Sequence, residues 1–177
     1  MMEMVYVGEK RLFGEVISIT DALTTIQVYE GTTGLKPGEP VYTTGSPMCA
    51  TLGPGILSNI FDGIERPLKQ LEKRTGAFIG EGINEGALDT ERLWDVKVTV
   101  KVGDKLRGGQ IYGTTQETSL IEHRFLVPPD LAGQVVDCAP DGKYKLNDCI
   151  VKLKDERGNI HQLTLCQRWP IRIPRPV

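Results

Sequence analysis

Short apolar segments separated by glycine- and proline-rich connections make up residues 1–58. Apolar and β-branched side chains are frequent at positions 12–19 and 24–29, with Asp21-Ala22-Leu23 between them, and this pattern predicts two paired strands. Further short strands are predicted at residues 4–7, 41–43 and 49–52, and a turn is predicted at residues 34–39. Roughly five strands can close into a small twisted barrel.

The spacing of apolar residues changes to a helical one near residue 60. Steps of four, four and three residues place one apolar stripe on a helix face, formed by Ile60, Ile64, Leu68 and Leu71. Pro67 divides this predicted helix into two short pieces, because proline disrupts a helix interior, and Gly76 ends the second piece.

A second β-rich region follows a glycine-rich connection at residues 80–86. Apolar and polar side chains alternate strictly over residues 94–102, which predicts a half-buried strand that begins at Trp94. The whole pattern predicts a mainly β protein: a small N-terminal β-barrel and a second β-rich unit, joined by a short helical stretch.

The second region contains an internal repeat. Gly103 precedes Ile111 by eight residues, Gly142 precedes Ile150 by eight, and residues 133–136 cross between the two units. Paired units of this kind resemble the two halves of a lipoyl- or biotinyl-type barrel-sandwich domain.

A lipoyl-type carrier domain needs a lysine at a hairpin tip. The corresponding stretch here, residues 115–119, contains no lysine, so the shape is predicted without the carrier chemistry. A free-standing carrier or small-molecule-binding β-domain nevertheless stays open as an alternative function, supported only by residues 103–150.

Charge and composition argue against several classes of partner. The chain has 21 basic and 23 acidic residues and a net charge of −2, so no basic field points to nucleic acid or anionic lipid. Aromatic residues make up 6% of the chain and do not alternate with basic residues, as a nucleic-acid-binding barrel would require. No segment approaches the ~20 apolar residues of a membrane span, and no signal peptide is recognisable. We expect a cytoplasmic protein without direct membrane insertion.

The candidate metal ligands and nucleophiles are few. The cysteines lack the close pairing that zinc sites usually show, and they are predicted to be reduced, packed thiols: Cys49, Cys138, Cys149 and Cys166. His123 and His161 lie in strand-like alternations, which favours a packing or surface role. We therefore predict no catalytic, cofactor-binding or metal-binding residue in this chain.

A phosphate-binding loop is also missing from the sequence. Such a loop needs Gly-x-x-x-x-Gly-Lys-Ser/Thr, because backbone N–H groups must wrap the phosphates while Lys and the hydroxyl reach phosphate and magnesium. The one Gly-Lys pair, Gly142-Lys143, is followed by Tyr144 and is predicted to be a turn. The chain is therefore not expected to bind ATP.

Three blocks of sequence resemble the N-terminal region of the catalytic A subunit of V-type and archaeal-type rotary ATPases. The first is Gly34-Leu35-Lys36-Pro37-Gly38-Glu39-Pro40-Val41 with Thr44-Gly45, and the second is Leu52-Gly53-Pro54-Gly55-Ile56-Leu57 with Asp62-Gly63-Ile64 and Arg66-Pro67-Leu68. The third is Gln167-Arg168-Trp169-Pro170-Ile171-Arg172 with Pro174-Arg175-Pro176-Val177. The blocks occur in order over nearly the whole chain.

The resemblance implies a division of the chain and a role for it. Residues 1–58 would be the barrel, 59–86 a helical connection, 87–170 an outer knob that distinguishes the A from the B type of subunit, and 171–177 the start of a linker. In the family the phosphate-binding loop lies beyond the third block. The chain is thus expected to be a non-catalytic fragment without a cofactor of its own, while Mg-ATP binds elsewhere in the parent subunit.

The expected partners also follow from the resemblance. Barrels of alternating A and B subunits form a collar that ties together a hexameric head, peripheral to the membrane, whose ATP hydrolysis or synthesis is coupled to proton or sodium transport. The B subunits and other rotary ATPase subunits are therefore the implied partners. In the family one more strand precedes the match to residues 4–7, so we expect an open barrel edge here, and self-association of the isolated chain through it.

Overall fold

The computed structural model describes residues 2–57, 59–76, 80, 82–83 and 86–174. The described residues are mainly β, as predicted, with fourteen strands and one helix. They form two compact units, which are considered separately below. Unit 1 comprises Met1–Ala50, Phe61–Glu85 and Trp169–Ile173, and unit 2 comprises Thr51–Ile60, Gly86–Arg168 and Pro174–Val177. The boundaries 1–58, 59–86, 87–170 and 171–177 stay a prediction.

Unit 1 is built on an antiparallel sheet with the strand order β3-β2-β1-β4. Its strands are β1 (Glu3–Val7), β2 (Leu12–Thr20), β3 (Leu23–Val28) and β4 (Val41–Pro47). The strands predicted at 12–19 and 24–29 are therefore confirmed within a residue or two. The core of this sheet is a small cluster of valines with two partly buried neighbours: Val5, Val7, Val16, Ile26 and Val28. β3 and β4 lie at the sheet edges, and the prediction of a missing strand before β1 stays a prediction.

Strands β5 (Cys49–Leu52) and β14 (Gln167–Pro170) form a two-stranded sheet. A boundary between the two units falls within each of these strands. The N–H of Ile171 extends this pairing by donating to the carbonyl of Met48 at 3.1 Å. The strand predicted at residues 49–52 is thus confirmed.

Of the two predicted helix pieces, the second is confirmed and the first is wrong. Helix α1 (Leu68–Thr75) follows Pro67 and ends at Gly76, as expected, and it buries Leu71. Residues 60–66 are not helical. The carboxylate of Asp62 accepts the N–H groups of Ile64 and Arg66 at 3.0 and 2.9 Å and forms a tight local turn. This side chain competes with the helix for backbone donors, and the positive φ of Glu65, 64°, breaks the helical path.

Unit 2 contains two four-stranded sheets around one large apolar core. One has the order β13-β12-β10-β7 and the other β11-β6-β8-β9. The strands are β6 (Trp94–Val98), β7 (Lys105–Leu106), β8 (Ile111–Gln116), β9 (Glu122–Leu126), β10 (Gly133–Cys138), β11 (Gly142–Tyr144), β12 (Val151–Lys154) and β13 (Ile160–Leu163). Fully buried core side chains come from both sheets, among them Val96, Tyr112, Val135 and Leu153.

The predicted strand over residues 94–102 is shorter than expected. β6 ends at Val98, and although Val100 is still buried, Val102 is exposed. The reason is a turn in which the N–H of Lys101 donates to the Asp104 carboxylate at 2.8 Å.

A turn with the same hydrogen bonds recurs later in unit 2. Forty-four residues further on, the N–H of Lys145 donates to the Asp148 carboxylate at 2.7 Å, as the N–H of Lys101 donates to Asp104. Both turns also close with a bond from the N–H of the aspartate to the carbonyl of the lysine, 3.1 Å in each case.

The repeat itself has the register that the sequence predicts. Gly142 of β11 pairs with Val96 of β6, and in the equivalent pairing the N–H of Gly103 donates to the carbonyl of Val135 on β10 at 2.8 Å. The two sheets match in the same way, with the orders β11-β6-β8-β9 and β7-β10-β12-β13.

No helix in the described part of the chain is long and apolar enough to span a lipid bilayer.

Candidate functional site

The first sequence block, residues 34–45, is held in place by two glutamates of unit 1. Glu39 accepts the N–H of Lys36 at 2.9 Å and that of Glu9 at 3.1 Å. Glu3 accepts the N–H groups of Thr44 and Gly45 at 3.1 and 2.8 Å. Glu39 orders loop backbone, and Glu3 binds the part of β4 where its pairing with β1 shifts register, so each satisfies backbone donors that lack a regular strand partner.

The second block carries a buried charge cluster in unit 1, which we name the Arg66 cluster: Arg66, Glu30 and Asp62. The guanidinium of Arg66 donates to the carboxylates of Glu30 and Asp62, each at 2.7 Å. Glu30 also accepts the N–H of Phe13 at 3.0 Å and that of Gly82 at 3.2 Å. The cluster therefore ties the turn of the second block to the sheet.

Asp62 in this cluster has a lowered pKa. Burial acts to raise the pKa of its carboxyl, but the N–H groups of Arg66 and Ile64 and the guanidinium of Arg66 outweigh that effect. The carboxyl is therefore ionised at neutral pH and matches the positive charge of Arg66.

The third block contributes Arg172, which pairs with Glu15 on β2. Glu15 is 1% exposed, although its position in a strand gives no sequence sign of burial. Arg172 donates two hydrogen bonds to its carboxylate, at 2.9 and 2.5 Å, and the hydroxyl of Tyr29 donates a third at 2.7 Å. The hydrogen bond from Arg172 lowers the pKa of Glu15 despite burial, and the carboxylate in turn raises the pKa of Tyr29.

In unit 2, Glu117 organises the Leu52-Gly53-Pro54-Gly55-Ile56-Leu57 part of the second block. Its side chain is almost fully buried and accepts the N–H groups of Gly55 and Leu57 at 2.7 and 3.1 Å. The second carboxylate oxygen lies 3.3 Å from Nδ1 of His123. Burial lowers the pKa of His123, while Glu117 acts to raise it, so the imidazole is neutral at pH 7.

Gly53 and Gly55 fit this loop against the core of unit 2. A Cβ on Gly53 would lie 2.9 Å from Cβ of Cys166, and Gly55 has a φ of 104° and lies against the ring of Trp94. The glycines of the block are therefore explained by close packing and backbone conformation.

The candidate ligands identified in the sequence do not converge. The four cysteines are free thiols of intermediate exposure, and burial raises the pKa of Cys149 and of Cys166. His161 on β13 pairs with Asp155 at 2.9 Å, whereas His123 lies on β9 in the other sheet of unit 2. Within the described residues, no group of three or more His, Cys, Asp or Glu side chains is arranged to hold a metal ion.

Gly142-Lys143, the one Gly-Lys pair, lies in β11 and not in a loop before a helix. Gly142 is paired with Val96 of β6 in an antiparallel ladder. The backbone N–H groups of this pair are thus part of a sheet and do not converge on an anion site.

An exposed apolar strip lies at the end of the β2–β3 hairpin of unit 1. We define this hairpin strip as Ile17, Ile19 and Leu23. All three side chains are largely exposed, and Leu23 is 74% exposed. Ile17 lies where the pairing of β2 with β3 shifts register, and Ile19 and Leu23 follow at the end of the hairpin. Exposed apolar side chains grouped at an edge strand are a feature of protein interfaces.

Comparisons with known proteins match both units to one family. The description "ATPsynthase alpha/beta subunit barrel-sandwich domain" matches residues 86–172, and "ATP synthase alpha/beta family, beta-barrel domain" matches residues 1–45. Together the two matches cover most of the chain. The chain belongs to the ATP synthase alpha/beta family.

Individual relatives narrow the similarity to one type of subunit. The chain is 53% identical over 176 residues to the V-type ATP synthase alpha chain of Halothermothrix orenii and 51% identical over 177 residues to the V-type ATP synthase alpha chain 2 of Clostridium tetani. It is 48% identical over 176 residues to the A subunit of the A-type ATP synthase of Methanopyrus kandleri. These alignments cover 99–100% of this chain and 30% of each relative, so the chain spans about a third of their length. The resemblance to the N-terminal region of the A subunit is thus confirmed, and neither family description is of a carrier domain.

Proposed function

We propose that this chain is the non-catalytic N-terminal part of the catalytic A subunit of a V/A-type rotary ATPase, and that it serves assembly of the hexameric head. The hairpin strip carries this proposal, because it leaves apolar surface in water on the unit that matches the family's β-barrel domain. The charge clusters support the non-catalytic part of the proposal. In all three sequence blocks, the described polar contacts are hydrogen bonds to backbone or side chains of the same unit.

The partners and location follow from the same proposal. The B subunit is the partner whose barrel lies against the hairpin strip, and the complex is a cytoplasmic head peripheral to the membrane. The parent enzyme couples ATP hydrolysis or synthesis to proton or sodium transport. Mg-ATP binds in a part of the parent subunit outside this chain, which has no cofactor of its own.

This proposal is tested by changing residues of the hairpin strip and measuring assembly of the hexamer. In a full-length A subunit that carries this segment, Ile19→Asp with Leu23→Asp is expected to weaken, at least about tenfold, the affinity for the B subunit, because burying each apolar side chain contributes about 1.5–3 kcal/mol. The hexamer fraction is measured by native mass spectrometry over a range of subunit concentrations.

Leu120→Asp is the matched control, since Leu120 is 92% exposed but lies in unit 2, outside the hairpin strip. It is expected to assemble like the unmodified subunit. If the double variant keeps its native circular dichroism and forms hexamers at the unmodified affinity, the hairpin strip is not the assembly surface.

A further inference from the structure

The outermost strand of one sheet in unit 2, β13 (Ile160–Leu163), leaves backbone groups unpaired. β13 pairs antiparallel with β12, and just beyond the two strands the N–H of Asp155 donates to the carbonyl of Asn159 at 3.0 Å. This bond fixes the alternation of bonded and non-bonded pairs along the ladder. Ile160 and Gln162 therefore direct their N–H and C=O groups away from β12.

This short edge strand of four residues has no lysine, proline or bulge that would block further pairing. Natural edge strands are commonly interrupted by lysine, proline or a bulge. β13 reads Ile-His-Gln-Leu and pairs with β12 without a register shift, and the side chain of Ile160 is 61% exposed. Among the described residues, no hydrogen bond uses the outward backbone groups of Ile160 and Gln162. Two donors and two acceptors are thus presented in strand geometry.

An open groove of about 1010 Å³ runs beside the strand. All four residues of β13 line it, and residues from the segment 128–132 line it as well. Unit 2 does not fill this space with its own side chains, so an extended chain has access to the groove.

The groove has an excess of acidic side chains. Asp130, Asp155 and Glu156 line it, against Arg157 and His161. Asp155 is occupied within its own turn, where it accepts the N–H of Arg157 at 2.9 Å and contacts Nε2 of His161 at 2.9 Å. The other two carboxylates have no ion pair with any described residue. They are available to a positively charged partner, and complementary charge favours and orients such an encounter.

We propose that β13 is a docking edge for an extended, lysine- or arginine-bearing segment of a partner protein, which adds a fifth strand to the β13-β12-β10-β7 sheet. Main-chain bonds to Ile160 and Gln162 provide the affinity, Ile160 contacts an apolar side chain of the added strand, and Asp130 and Glu156 select for basic residues. This site lies in unit 2 and is separate from the hairpin strip of unit 1, so either can fail without the other.

A defined peptide tests the docking edge on the complete 177-residue chain. The probe is a fluorescein-labelled peptide of about nine alternating lysine and valine residues, a usual strand length. It is N-methylated along one edge so that only the other edge can pair. Two control peptides are a version methylated along both edges and an alternating glutamate–valine version. Fluorescence anisotropy is expected to show saturable binding of the lysine peptide, at least about tenfold tighter than either control. Amide NMR shifts should concentrate at Ile160 and Gln162.

Matched variants separate backbone pairing from charge. Ile160→Pro removes an outward N–H without removing a bond to β12, and is expected to weaken binding at least about tenfold, whereas Ile160→Val should bind within about twofold of the unmodified chain. Asp130→Asn with Glu156→Gln should weaken binding about tenfold and reduce its salt dependence, while Glu122→Gln on β9 should change neither.

Three results overturn the proposal. The first is an absence of saturable binding, and the second is unchanged binding to the folded Ile160→Pro variant or amide shifts away from β13. The third is concentration-dependent dimerisation that Ile160→Pro abolishes and the lysine peptide does not inhibit, which would assign the edge to a second copy of the chain.

Discussion

Replacing Arg66 by methionine is expected to lower the free energy of unfolding by about 3–5 kcal/mol, because it leaves two carboxylates buried without their counter-ion. Arg66 is 8% exposed, and the side chains of Glu30 and Asp62 are likewise largely buried. Methionine fills much of the same volume, so the loss reports the charge and its hydrogen bonds. Urea unfolding followed by circular dichroism measures the change.

Arg124→Met is the control for this variant. Arg124 is exposed and lies 3.8 Å from Glu122, and an exposed pair of this kind contributes at most about 1 kcal/mol. If Arg66→Met costs no more than Arg124→Met, the Arg66 cluster does not stabilise unit 1.

The contribution of the Arg66 cluster to the free energy of unfolding is expected to decrease as the pH falls. The pKa of Asp62 is lowered in the folded state, so its contribution is fully present above the unfolded pKa and is lost as the pH falls through the folded pKa. Glu15, with a pKa lowered by Arg172, acts in the same direction. In Arg66→Met the Asp62 contribution should shrink, so the variant should lose less stability on acidification than the unmodified chain.

The second large effect is expected at Glu117. Glu117→Ala removes the acceptor of two backbone N–H groups and should cost about 1.5–3 kcal/mol, the usual contribution of hydrogen bonds to a charged group. Glu117→Gln keeps a carbonyl acceptor and should cost less than about 1 kcal/mol. Hydrogen exchange at the amide of Gly55 provides a local measurement, because Gly55 donates to Glu117 at 2.7 Å.

Protection of the Gly55 amide should fall in Glu117→Ala and persist in Glu117→Gln. An alanine variant that protects Gly55 as well as the unmodified chain would show that the loop holds its conformation without Glu117.

The strands were predictable because their signal is local. Residues 12–19 and 24–29 combine β-branched side chains with a short polar connection, and the structure places β2 and β3 there. The helix was predictable only from Pro67 to Gly76, where the flanking residues set its ends. Before Pro67 the apolar spacing suggests a helix, but the carboxylate of Asp62 takes the backbone donors that a helix would use.

The charge clusters could not be predicted from periodicity. Glu15 lies in a strand and Glu117 just beyond one, where an acidic residue normally indicates a solvent-exposed position, yet both are buried by partners distant in sequence. Arg172 is 157 residues from Glu15, and Gly55 is 62 residues from Glu117. The family resemblance indicated Arg172 and Gly55, which lie in the blocks, but it indicated neither Glu15 nor Glu117 and gave no geometry.

The claim that this chain holds no nucleotide site is tested most directly by calorimetric titration of the isolated chain with Mg-ATP. A nucleotide site requires converging N–H donors, and the only Gly-Lys pair of the sequence lies in the β11–β6 ladder. We expect no saturable heat. Saturable binding tighter than about 0.1 mM, equivalent to about −5.5 kcal/mol, would contradict the claim.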